Sequence, residues 1–210
     1  MALEELSVNI PEYEIPADVA ALISEADQRI DGFDDGDGNN RRFPQLVPSD
    51  PTLQYRAMRW VKEDGIVEGD LFCEWGCGFG FGLCFASTLG FESIGIEIEP
   101  ELAELSQKLV VDTGSQAQVL CESFFPEGIE SYDAHGVEEL IVDPQLRHHL
   151  DQLAYPGMEG SLHDIDLFYV YPWPSQWEVM QELFETVARE GAVMLIYYGD
   201  GEMGGFQKVE

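Results

Sequence analysis

Apolar residues recur along this chain with two periods, and the change from one to the other divides it. Between residues 17 and 30, Val19, Leu22, Ile23 and Ala26 fall at three- and four-residue spacing, which predicts an amphipathic helix. An extended stretch with three prolines, FPQLVPSDP, separates it from a second helix. That helix opens at Asp50-Pro51, a side-chain acceptor followed by a ring of fixed φ, and stops near Gly65. Leu53, Met58 and Val61, with Trp60 beside them, give it a buried side. From Gly69 onward short, nearly continuous apolar runs appear at 71–75, 93–98, 118–121, 167–171 and 192–198. Helical stretches at 81–89, 101–111 and 175–189 lie between several of them. Strands of this kind alternating with helices predict an α/β fold, a doubly wound and mostly parallel sheet with helices on both faces.

Two regions depart from plain alternation. Residues 126–163 are too long for one crossover and are expected to form an insertion with one or two helices, near the carboxyl ends of the strands. After 192–198, Asp200-Gly201 is a hairpin signal, so one short antiparallel strand is expected to finish a shortened C-terminal edge. Residues 1–65 read as an N-terminal helical extension or cap, and 66–210 as the α/β domain.

Charge narrows the partners. The 41 acids and 10 bases give a formal net charge of −31, and only three lysines occur, Lys62, Lys108 and Lys208. Such a field repels phosphate backbones, so nucleic acid is not expected as a partner. Self-repulsion of this size should also weaken the fold at low salt, as in a protein suited to a salty cytosol. No apolar run is long enough to span a bilayer and no signal segment is visible, so no membrane partner and a cytoplasmic location are expected. Cys73, Cys77, Cys84 and Cys121 read as free thiols, and no metal site is expected. Asp35-x-Asp37-x-Asn39 begins like a calcium loop, but Asn40 stands where glycine is required and Leu46 where the bidentate glutamate belongs. That stretch is therefore read as a solvated linker.

The chemistry centres on FCEWGCGFGFG, residues 72–82, where a strand turns into a helix. It lacks the glycine spacing of a dinucleotide fingerprint, and no phosphate loop with GK[ST] is present. The run Glu74-x-Gly76-x-Gly78-x-Gly80 instead resembles the first motif of class I S-adenosylmethionine-dependent methyltransferases. Glu97, 19 residues after Gly78, then stands where an acid would hold ribose hydroxyls. Further on, VLCESFFPEG, the strand that leads into YPWP and REGAVMLIYYG are similar to later segments of that family, over about residues 43–199.

The resemblance implies a Rossmann-like fold and S-adenosylmethionine as cofactor, held by Glu74, Gly76, Gly78, Gly80, Glu97, Ser123 and Phe124, with Glu122 the alternative to Ser123. An acid at position 74 suits the cofactor's ammonium and sulfonium better than a phosphate cradle would. Tyr171 is the candidate for orienting the acceptor, and Trp173 and Tyr55 are candidates for binding it. Trp75, Tyr171 and Trp173 are expected to wall an aromatic pocket suited to a cationic or planar substrate. Tyr171-Pro172-Trp173-Pro174 departs from the (D/N)-P-P-(Y/W) of amino-methylating enzymes, because the acceptor Asp or Asn is missing. His148 and His149 fall in the insertion and are not assigned a catalytic role. The implied activity is methyl transfer to a small molecule or a protein side chain. The alternative is a non-catalytic S-adenosylmethionine-binding module that acts through a protein partner.

Overall fold

The computed structural model of the protein describes residues 2–33, 43, 46–47, 49–134 and 137–209. Residues 35–40, tested above as a cation loop, lie outside them. In chain order the elements are β1 (Ala2–Glu5), α1 (Ala17–Phe33), α2 (Pro51–Glu63), β2 (Leu71–Trp75), α3 (Phe81–Thr88), β3 (Glu92–Ile96), α4 (Pro100–Thr113) and β4 (Ala117–Leu120). There follow β5 (Ile129–Ala134), β6 (Val137–Val142), β7 (Leu167–Val170), α5 (Trp177–Val187), β8 (Val193–Gly199) and β9 (Glu202–Val209). Proline opens two of the helices. Asp50 caps α2 by accepting from the Leu53 N–H at 2.9 Å, and Pro100 opens α4.

Seven strands form one sheet in the order β1-β9-β8-β7-β2-β3-β4. Strands β4, β3, β2, β7 and β8 are parallel, and β9 is antiparallel to β8. The expected doubly wound α/β sheet is therefore the one observed. From β2 the chain proceeds outward to β3 and β4, then returns to β7 on the other side. The switch in direction lies between β2 and β7, and the loops leaving both carboxyl ends open into one crevice there.

Helices cover both faces. On one, α1, α2, α3 and α4 bury Val19, Met58, Val61, Leu83, Phe85 and Leu109 against Phe72 and Leu195. On the other, Met180, Leu183 and Phe184 of α5 pack on Phe168, Met194 and Ile196, with the insertion alongside.

Two regions differ from expectation. The insertion holds no α-helix among its described residues. It holds the antiparallel pair β5–β6, running from Ile129↔Val142 to Ala134↔Val137, and then three short 3-10 turns. Alternation explains this: Ile129, Leu140 and Val142 pack on the α5 face while Tyr132 and Ile141 point to solvent. The second difference lies at the sheet edge. Only β9 follows β8, but β1 from the other end of the chain pairs with it, Ala2↔Val209 to Glu5↔Phe206. Residues 1–65 thus supply the outermost strand and two helices of the main core rather than only a helical cap.

Candidate functional site

Strand β2 ends in Glu74 and Trp75, and pleating sends their side chains to opposite faces. The Trp75 ring packs on Phe168, centroids 4.7 Å apart, in the α5-side core. Glu74 points towards α2 and α3, where it is buried. Its Oε1 accepts from Gln54 Nε2 of α2 at 2.6 Å, and its Oε2 has no hydrogen-bond partner. Burial, reinforced by the charge of Glu97 and opposed by the Gln54 hydrogen bond, pushes its pKa up to about 8.

The loop after β2 climbs over the end of β3. The N–H groups of Gly76 and Cys77 both donate to the Ile96 carbonyl, at 2.8 and 3.0 Å. Gly78 has φ +53°, and a Cβ there would sit 3.2 Å from Leu46. Gly80 caps α3 at φ +82°, and a Cβ there would come within 2.2 Å of Ser106 Oγ. Gly80 is thus the residue that allows α3 and α4 to approach. Glu97 follows the end of β3 and is buried. Its two oxygens accept from the N–H groups of Gly78 and Glu99, each at 2.9 Å, which ties the acid to the glycine loop.

These groups border a cavity of about 370 Å³ at the switch point, within the size range of small-ligand sites. Glu74, Gly76, Gly78, Phe124, Tyr171 and Trp173, all singled out from sequence, line it. Glu97 and Gly80 stand behind the loop, outside the lining. Ser123 does not line it either; its hydroxyl accepts from the Phe125 N–H at 3.1 Å within the turn. Tyr55 points away into the core and meets the Phe85 ring edge-on at 6.1 Å. Trp75 belongs to the lining but is only 1% exposed, so of the three aromatics expected to wall the pocket Tyr171 and Trp173 offer surface there.

Sequence reasoning missed several lining residues: Gln54 and Ser49 at the start of α2, Tyr169 opposite Glu74, and Tyr198 of β8. Gln54 was within reach, because it shares helical spacing with Met58 and Val61, and a polar group on a buried face needs a partner. Tyr169 pairs in register with Glu74 across β2 and β7, and its buried hydroxyl makes no hydrogen bond.

The Phe124 wall is set by the insertion. Trp75 Nε1 donates to the Tyr155 hydroxyl at 2.9 Å, and that hydroxyl donates to the Phe124 carbonyl at 2.6 Å. At the mouth, Tyr171 lies edge-on to Tyr197 at 4.6 Å, and Tyr198 to Trp177 at 4.8 Å. Burial and the neighbouring Tyr197 and Asp200 raise the Tyr171 phenol, so it is a protonated donor at neutral pH. Among the described residues no cluster of His, Cys, Asp and Glu could hold a metal ion, and no helix is long and apolar enough to cross a membrane.

No family model and no curated protein matches the sequence. Solved structures resemble the fold. A methyltransferase from Geobacter sulfurreducens superposes with a TM-score of 0.53 at 9% identity, over 93% of both chains. A hypothetical protein of Thermus thermophilus gives 0.51 at 15% identity, over 79% of this chain and 90% of its own. The sheet is thus a Rossmann-like sheet of the kind seen in that methyltransferase.

Proposed function

We propose that the cavity binds S-adenosylmethionine and that the protein transfers its methyl group to a small molecule or a protein side chain. The observation that carries this reading is Glu74, a buried acid with one unpaired oxygen, bordering a cavity beneath a glycine loop. A cationic ligand group would meet that oxygen and offset the burial that now disfavours the carboxylate. A phosphate-bearing ligand would not, since no Lys or Arg among the described residues lines the cavity.

The residues fit the cofactor. Glu74 would take its ammonium, and the backbone at Gly76 and Gly78 would pass close to its amino-acid part. Glu97 stands behind the lining but keeps lone pairs beyond those used by Gly78 and Glu99, and it would accept from ribose hydroxyls if the ligand reaches past the glycine loop. Phe124 would pack on the adenine ring, its backbone held by Tyr155. Ser123 is proposed as a polar neighbour of that ring, and Gly80 as the residue that shapes the loop. When bound, the cofactor supplies an electrophilic methyl group on a sulfonium. The chain's own part is positioning: alignment of acceptor and cofactor supplies much of the rate, and Tyr171 would orient the acceptor. Trp173 is proposed for binding the acceptor. Tyr55, which faces the core, supports that wall only through α2.

Calorimetric titration with S-adenosylmethionine and S-adenosylhomocysteine, at low and high salt, tests the reading. Micromolar-range binding that is lost in Glu97→Ala and Gly78→Arg is the expected result, and no binding at any salt removes it.

A further inference from the structure

We propose that the mouth of the cavity, walled by Tyr171, Trp173 and Tyr198, is a receptor for an alkylammonium group, so that the methyl acceptor is an amine. This rests on the methyl-transfer reading and names its substrate class.

Three observations converge. The first is rigidity. Tyr171 and Tyr198 are each braced edge-on by a second aromatic ring, Tyr197 and Trp177, so their orientations are fixed by packing. Trp173 sits between Pro172 and Pro174 with extended backbone, φ −61° and ψ 151°, in a segment whose neighbours have little freedom. The second is exposure. Trp173 leaves 47% of its surface to solvent although it borders a cavity, so folding leaves nearly half of it uncovered. An indole held half-exposed at a ligand mouth is free to meet a ligand with its face.

The third is charge, and it selects among ligands that aromatic walls would accept. A neutral ring, a carboxylate and an alkylammonium could all touch these faces. Among the described residues the lining holds one acid, Glu74, and no Lys or Arg, and the chain carries a net −31. That field concentrates cations at the mouth and repels anions, while ring faces attract cations through their quadrupole.

Methylation of an amine also fits the electron count. The nitrogen lone pair forms the new N–C bond, the C–S pair stays on the departing thioether sulfur, and nitrogen acquires the positive charge. An acceptor that arrives as ammonium first releases its proton to water. Aromatic faces around that nitrogen stabilise the charge as it forms, so they bind the transition state better than the neutral amine.

The test uses the protein saturated with S-adenosylhomocysteine, at high salt to screen the general field. Choline and neohexyl alcohol, its uncharged carbon isostere, are titrated by calorimetry against the unmodified protein, Trp173→Leu and Trp173→Phe. Choline is expected to bind about ten-fold tighter than the alcohol, the size of a partly desolvated cation–π contact. Trp173→Leu should abolish that preference and Trp173→Phe should keep most of it, with S-adenosylhomocysteine affinity little changed in both. Equal affinity for the two probes, or a preference that survives in Trp173→Leu, overturns the proposal. Failure of S-adenosylhomocysteine to bind sinks the methyl-transfer reading instead, and the same two probes on the unsaturated protein then still decide the receptor.

Discussion

Gln54 Nε2 donates to Glu74 Oε1 at 2.6 Å, a buried hydrogen bond that joins α2 to the carboxyl end of β2. It satisfies half of a carboxylate that has no cation beside it and leaves Oε2 without a partner. The acid is therefore held in place without a counter-charge, and burial keeps it protonated until a positive group arrives.

The pH dependence of stability should report this. The Glu74 carboxyl sits near 8 in the folded protein, because burial disfavours its charged form, against an ordinary value of about 4.3 when unfolded. Between those values the folded state binds more protons than the unfolded one, so stability from this group falls as pH rises. Denaturation midpoints should drop from pH 6 to 8 in the unmodified protein and flatten in Glu74→Gln.

Cofactor binding should release a proton from the same group. A bound ammonium favours the carboxylate, so S-adenosylhomocysteine affinity should rise as pH increases from 6 to 8. Titrations in buffers of different ionisation enthalpy count the proton, and Glu74→Gln should bind more weakly with no proton released.

Gly82 lies in the first turn of α3, where alanine ordinarily favours a helix by about 1 kcal/mol. Here its Cβ would fall 2.4 Å from both Gln54 Nε2 and Glu74 Oε2. Gly82→Ala is expected to destabilise by about 1–3 kcal/mol and to weaken cofactor binding. Chemical denaturation showing no loss would mean that the Gln54–Glu74 pair yields easily.

Tyr155 bridges the insertion to the cavity wall through the Trp75 N–H and the Phe124 carbonyl. Tyr155→Phe keeps the ring but strands the buried Trp75 N–H and the half-buried Phe124 carbonyl, at a cost of about 1–3 kcal/mol. Urea unfolding measures that loss, and cofactor affinity should fall with it because Phe124 loses its tether.

Salt should stabilise the fold. With a net charge of −31, self-repulsion is strong at low ionic strength and screened at high. The thermal midpoint is expected to climb between low and molar sodium chloride, and a flat profile would contradict the charge argument.

Elements that obey local rules are legible in the chain alone. Period and apolar runs marked β2, β3, β4, β7, β8 and the helices between them, because a strand buried on both faces and an amphipathic helix each write their environment into adjacent residues. Glycine and proline marked the loop after β2 and the starts of α2 and α4, because backbone limits act within a few residues. Tertiary structure decided the rest. Nothing local in Ala2–Glu5 shows that it pairs with β9, since an edge strand draws its partner from the far end of the chain. The insertion is expected to be helical from its length alone, whereas alternation and packing on α5 select the hairpin. Tyr55 and Trp75 turned inward, while Tyr198 and Gln54 came to the cavity from elements remote from the glycine loop. Local pattern fixes which residues are apolar and where the chain turns, and long-range packing alone decides which side chains meet.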